Sequence, residues 1–214
     1  EIRLSLVGSE MCIRDSDILY QKQVEAYYAD PGLNKPVGRF GNAADKWGLA
    51  NWMAAAVADE ADADVGFYHI GGVRLDSIPA GGVSAAKVYG LEPFGTLVAR
   101  MEMTPAQMRR MIVSKYNDPV NAKEAHRIDL ISTTPYVIVT DAADNALDVQ
   151  FPKLREGRKY KVAVSDYIYR NYKDMEYTGG EITVEKVADI LLEELRDDSP
   201  LKIDNTPRQR VVRK

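Results

Sequence analysis

Cysteine is all but missing from this chain of 214 residues: the single one, Cys12, lies in a stretch, residues 1–16, that resembles translated sequencing-adapter sequence more than protein. The remainder therefore offers neither disulfide nor thiol chemistry, and no Cys/His pairing for nucleophilic catalysis. Histidine is almost as scarce, with only His69 and His126. Basic residues are not in excess either, since 28 Lys+Arg face 32 Asp+Glu for a net charge of −4. That balance, without a basic stripe, argues against binding nucleic acid through its phosphates. No apolar run approaches the ~18 residues of a membrane span, and no signal peptide is visible. The natural N-terminus is expected to lie upstream of the adapter-like segment.

What is present points to one domain. The residues beyond the first 16 suffice for a single hydrophobic core and hardly for two. Residues 17–32 predict a polar helix ending at Asp30-Pro31-Gly32, suited to connecting domains, and residues 33–214 the domain itself. Leu33 to Phe40 predicts a short strand. Leu49, Trp52, Met53, Ala56 and Val57 recur at helical spacing and predict one buried stripe. A strand from Asp64 to Ile70 breaks at Gly71-Gly72, and Ser84 opens a short helix stopping before Pro93. Leu97, Ala99, Met101 and Met103 alternate along a strand. Thr104, Pro105 and Gln107 then supply an N-cap, a first-turn proline and a capping-box partner for the next helix. Ile128 to Thr140 and Ala146 to Phe151 predict a hairpin about Asp141–Asn145, whose spacing does not fit a calcium loop. Arg158 to Ser165 predicts a strand with Tyr160, Val162 and Val164 on one face. Val187, Ile190, Leu191 and Leu195 stripe a late helix, and a last strand follows Pro207. Helices interleaved with strands and hairpins predict an α+β class with a mixed β-sheet.

Two loops could carry binding chemistry. At Gly71-Gly72-Val73-Arg74, glycines let an anion approach backbone N–H groups and Arg74 offers a bidentate fork to phosphate. Paired glycines after a strand are more often an ordinary turn. Between Pro93 and Gly95, Phe94 is a fixed ring able to stack on a planar base, or else a loop residue capping the core.

In register, several segments resemble the C-terminal domain of the 5'-nucleotidase family, which includes UDP-sugar hydrolases and 2',3'-cyclic nucleotide phosphodiesterases. They are Gly48 to Met53 with Asn51, Gly71 to Arg74, Ile78 to Gly81 with Val83-Ser84, Glu92 to Leu97, Glu102 to Met108, and Tyr160 to Tyr167. The resemblance implies that Arg74 contacts substrate phosphate beside the backbone of Gly71 and Gly72. It implies that Phe94 and Tyr167 clamp the base. Without it, Tyr167 reads as a core residue at a strand end. His69 stands where the family has a base-recognising asparagine, and Ala55 where an aspartate commonly follows. The family's Gly-Gly-Asp-Gly loop is replaced by Arg170 to Glu176, in which Asp174 is the carboxylate available for ribose hydroxyls. Lys46 or Arg39 could add a second phosphate contact.

The resemblance further implies that catalysis belongs to a separate N-terminal metallophosphatase domain carrying two divalent metal ions, on the same or another chain. No Asp-x-His or Gly-Asn-His-Glu segment occurs here, so the chain is expected to hold no catalytic residue, no metal and no cofactor, and to be inactive by itself. The expected function is to bind a nucleotide or nucleoside phosphate for phosphoester hydrolysis, in nucleotide catabolism, in a periplasmic or extracellular setting. The alternative is a stand-alone nucleotide-binding subunit or module without catalysis.

Overall fold

The structure, a computed structural model, describes residues 31–123 and 127–214. The adapter-like segment, residues 17–30 of the predicted connector helix and His126 lie outside the described residues.

A mixed five-stranded sheet organises the fold. Its strands are β3 (Val65–His69), β6 (Leu97–Met103), β7 (Leu130–Ser132), β10 (Tyr160–Ser165) and β11 (Thr178–Lys186), in the order β11-β6-β10-β3-β7. Only β10 and β3 are parallel; the other neighbours are antiparallel. A second sheet joins β8 (Tyr136–Thr140) to β9 (Ala146–Gln150) as the predicted hairpin, and β12 (Gln209–Arg213) runs parallel to β8. Two small antiparallel pairs, β1 (Pro36–Phe40) with β5 (Gly81–Ser84) and β2 (Ala44–Asp45) with β4 (Ser77–Ile78), complete the strands. The fold is α+β with a mixed sheet, as expected.

Alternation along the strands makes two cores, one on each face of the main sheet. Tyr68, Val98, Ile131 and Ala163 point into one, filled by α2 (Lys46–Glu60), α3 (Ala85–Leu91) and α6 (Val187–Asp197). Phe67, Ala99, Val162 and Val164 point into the other, filled by α4 (Pro105–Asn117) and the β8–β9 hairpin. A sheet covered on both faces explains why Val162, Ala163 and Val164 of β10 are apolar and buried in succession.

Helix α2 starts at Asp45, whose carboxylate accepts from the Gly48 amide at 2.8 Å. It is buried around most of its circumference and not along one stripe. Gly66 of β3 lies so close that a Cβ there would be 2.1 Å from the Ala54 carbonyl oxygen. From the other side Trp52 Nε1 donates to Glu194 of α6 at 2.8 Å, and Asn51 Nδ2 donates to the carbonyls of Asp204 and Thr206, pinning the C-terminal segment. Helix α4 has the full capping box, with Thr104 and Gln107 each bonding the other's backbone amide.

Besides the single stripe expected of α2, three expectations need correction, and one strand went unread. The first residues of Leu33 to Phe40 belong to a helical turn, α1 (Pro31–Asn34), and only Pro36–Phe40 is strand. Ile128 to Thr140 is two strands, divided by the turn before Pro135. Strand β11 was not anticipated, because it is a largely exposed edge strand with little apolar alternation. Finally, β10 ends at Ser165, whose hydroxyl accepts from the Ile168 amide and caps a short helix, α5 (Asp166–Asn171). Tyr167 is therefore on the first turn of a helix, not at a strand end in the core.

Candidate functional site

Strand directions bring the motifs to one end of the main sheet. The parallel strands β3 and β10 both finish there, at His69 and Ser165. Antiparallel β6 begins there, with Val98 opposite Ser165, and so does the register pair His69 and Leu130 on β7. The segments after β3, before β6, after β10 and before β7 therefore converge, at the strand ends where ligands of sheet proteins commonly bind.

They enclose a cavity of about 620 Å³ whose lining includes His69, Gly71, Arg74, Phe94 and Tyr167. That size falls within the roughly 300–1,000 Å³ of small-molecule sites. Phe94 and Tyr167 are unusually exposed for large apolar rings, at 60% and 48%. Phe94 owes its presentation to a buried carboxylate. Glu92, 1% exposed, accepts from the amides of Phe94 (3.3 Å) and Thr96 (3.4 Å) and from the Thr96 hydroxyl (2.5 Å). Gly95 takes the left-handed turn, φ +63°, that closes the loop. Tyr167 is carried by α5, where Asp166 accepts from the Leu97 amide at 3.1 Å and ties the two ring-bearing segments together.

The Arg74 guanidinium lies 5.8 Å from the Phe94 ring centre, a cation–π contact, and its Nη1 reaches the Gly71 carbonyl at 3.5 Å. Neither contact neutralises its charge. Lys46 also lines the cavity and pairs with Asp76 at 3.1 Å, whereas Arg39 does not line it. The His69 ring stacks on Tyr167, with centres 4.6 Å apart and planes 25° from parallel. Burial, and secondarily Lys115, lowers the imidazole pKa to about 4, so it is neutral at pH 7.

Gly72 and Asp174 are placed elsewhere. Gly72 is buried beneath the His69 ring: a Cβ on it would be 2.6 Å from His69 Cε1 and 2.9 Å from Tyr68 Cε1. Its missing side chain makes room for an imidazole, and Gly71 alone of the pair lines the cavity. Asp174, φ +55°, is exposed and accepts from the Ser114 hydroxyl at 2.6 Å, outside the cavity lining.

Other cavity residues escaped the sequence reading. The Tyr172 hydroxyl donates to Asp129, and Lys115 Nζ lies 3.9 Å from that carboxylate and 5.1 Å from the Tyr172 ring centre. Burial raises the Asp129 pKa, opposed by the Tyr172 hydrogen bond and by Lys115. Tyr172 stands nearly perpendicular to Tyr167, its ring centre 6.3 Å away. Among the described residues, no group of three or more His, Cys, Asp or Glu side chains is placed to hold a metal ion.

The sequence profile of the family described as 5'-nucleotidase, C-terminal domain, matches residues 33–178. The chain belongs to that family. No curated protein sequence matches it. Among solved structures, this 5'-nucleotidase C-terminal domain resembles the 5'-nucleotidase precursor of Thermus thermophilus, with TM-score 0.71 and 16% identity over 91% of this chain and 43% of that one. The NAD nucleotidase of Haemophilus influenzae superposes with TM-score 0.70 and 15% identity over 94% of this chain and 42% of that one. The Thermus thermophilus sulfate thiohydrolase SoxB, in complex with glycerol, does so with TM-score 0.63 and 15% identity over 92% and 39%. The chain thus spans less than half the length of these proteins. Identities this low establish the fold, and a fold shared with a sulfate thiohydrolase leaves the ligand to be argued from the site.

Proposed function

We propose that this domain binds a nucleotide for a 5'-nucleotidase-type phosphoester hydrolase, holding base and phosphate while a separate N-terminal metallophosphatase domain performs the hydrolysis. The observation that carries the proposal is the meeting of Arg74, Phe94 and Tyr167, from three separate segments, around one cavity. Two exposed rings supply stacking surfaces for a base, each stacked ring contributing about 1–3 kcal/mol. Arg74 supplies the charge-assisted fork for phosphate, with the Gly71 backbone beside it and Lys46 as the second cation. Asp174, on the Ser114 side, is left without a part in ribose recognition.

Two divalent ions on the partner domain would activate the water that attacks phosphorus. Here the domain's own contribution is orientation: a base held by the rings fixes where the phosphate beside Arg74 is presented. The setting proposed is periplasmic or extracellular. Among the described residues no helix is long and apolar enough to cross a membrane.

Differential scanning fluorimetry tests this reading. Nucleoside monophosphates should raise the melting temperature of the chain, and Phe94→Ala should abolish the shift. A purified chain showing no shift with any nucleotide would refute the assignment. Added divalent metal should elicit no phosphatase activity from the chain alone, and robust turnover would overturn the division of labour.

A further inference from the structure

We propose that His69 is a positioning residue, whose imidazole holds the Tyr167 ring in the plane on which a base stacks, and which does not itself read the base. The inference rests on the nucleotide-binding reading above and assigns His69 a role within that site.

Three observations carry it. First, the imidazole and the Tyr167 ring are stacked at 4.6 Å with a 25° interplanar angle, so one face of Tyr167 is already covered by protein. Second, the imidazole is lodged against the turn that follows β3. A Cβ at Gly72 would lie 2.6 Å from Cε1 and 2.8 Å from Nε2, and one at Gly71 would lie 3.7 Å from Cδ2. The ring therefore occupies the space a side chain at position 72 would take, and the buried Gly72 backbone supports it from below. Third, His69 Nδ1 is buried and has no hydrogen-bond partner in the protein. Packing, rather than a hydrogen-bond network, defines the ring's placement.

The consequence is entropic. Tyr167 sits on the first turn of a short helix with about half its side chain exposed. Unsupported, such a ring samples several rotamers that a bound base would have to freeze, at a cost corresponding to roughly three- to tenfold in affinity. An imidazole wedged beneath it fixes the rotamer beforehand. A flat ring suffices for this purpose, and its neutral state keeps a charge out of the stack.

The test is a double-mutant cycle on nucleoside monophosphate affinity, measured with the full chain, together with the ring resonances of Tyr167 in 13C-tyrosine-labelled protein. His69→Ala should raise Kd roughly three- to tenfold, and should change nothing further in a Tyr167→Ala background. His69→Phe should restore most of the affinity and His69→Asn should not. Without ligand, His69→Ala should remove the ring-current shift of the Tyr167 resonances, assigned with Tyr167→Phe. Equal losses from His69→Ala in both backgrounds, or recovery with Asn and not with Phe, would make His69 a base-reading group and overturn the proposal. Unmoved Tyr167 resonances in His69→Ala would overturn it as well. If the wild type binds no nucleotide while the resonances do move, the nucleotide reading fails and the ring-positioning role stands.

Discussion

Replacing Glu92 should damage both the stability of the fold and the presentation of Phe94, in amounts that follow from its contacts. Its carboxylate is buried and accepts three hydrogen bonds, one short, from the Thr96 hydroxyl at 2.5 Å, and two long, from the amides of Phe94 and Thr96 at 3.3 and 3.4 Å. A hydrogen bond to a charged acceptor contributes about 1.5–3 kcal/mol and an ordinary one about 0.5–1.5. Glu92→Ala therefore should cost roughly 3–5 kcal/mol, because Thr96 is itself buried and water does not readily replace the lost acceptor. Glu92→Gln separates the two oxygens. The amide oxygen can still serve Phe94 and the Thr96 hydroxyl, as Oε1 does, but an NH2 group then faces the Thr96 amide, donor against donor. About 1–2 kcal/mol should be lost there. Urea denaturation of the three proteins provides the free energies, and fluorimetry with nucleotide reports on the loop. If Glu92→Ala unfolds within 1 kcal/mol of wild type, by the same yardstick the loop does not depend on the carboxylate and the reasoning is wrong.

Gly72→Ala should destabilise the domain by about 1–3 kcal/mol, since the added methyl meets the rings of His69 and Tyr68 in an already filled space. A denaturation midpoint equal to that of wild type would show that those rings yield freely. The low pKa of His69 predicts a pH effect of definite sign. The folded imidazole resists protonation down to about pH 4, whereas the unfolded one takes up a proton near 6.5. The stabilisation is therefore complete above pH 6.5 and is lost as pH falls toward 4. Between about pH 7.5 and about pH 5, wild type should lose about 2 kcal/mol more than His69→Phe. Parallel losses in the two proteins would mean that the imidazole is charged in the fold.

Local rules made much of the fold legible. Ser84 and Thr104 each cap a helix through their own side chain, and such capping is written in three or four consecutive residues. Strand β11 was not legible because nearly all its residues face solvent on a sheet edge, where no buried face imposes alternation. At Ser165 the apolar alternation of β10 conceals a helix cap, so Tyr167 was legible as a motif position but not as a helix residue. Arg74 and Phe94 could be picked out because glycine and proline neighbours mark them. Asp129, Lys115 and Tyr172 could not, since they meet only through the pairing of β7 with β3 and the packing of α4. Gly72 illustrates the same limit: its need for glycine comes from the ring lying on it, and local sequence equally suits a phosphate turn.

The central claim is that Phe94 and Tyr167 stack a base while Arg74 holds the phosphate. Isothermal titration of wild type, Phe94→Ala and Arg74→Gln with a nucleoside monophosphate and its parent nucleoside tests it most directly. Phe94→Ala should weaken both ligands by roughly tenfold or more. Arg74→Gln should weaken only the monophosphate and bring its affinity most of the way toward that of the nucleoside, with Lys46 keeping the remainder. Saturable binding untouched by Phe94→Ala, or an Arg74→Gln loss shared equally by both ligands, would contradict the account.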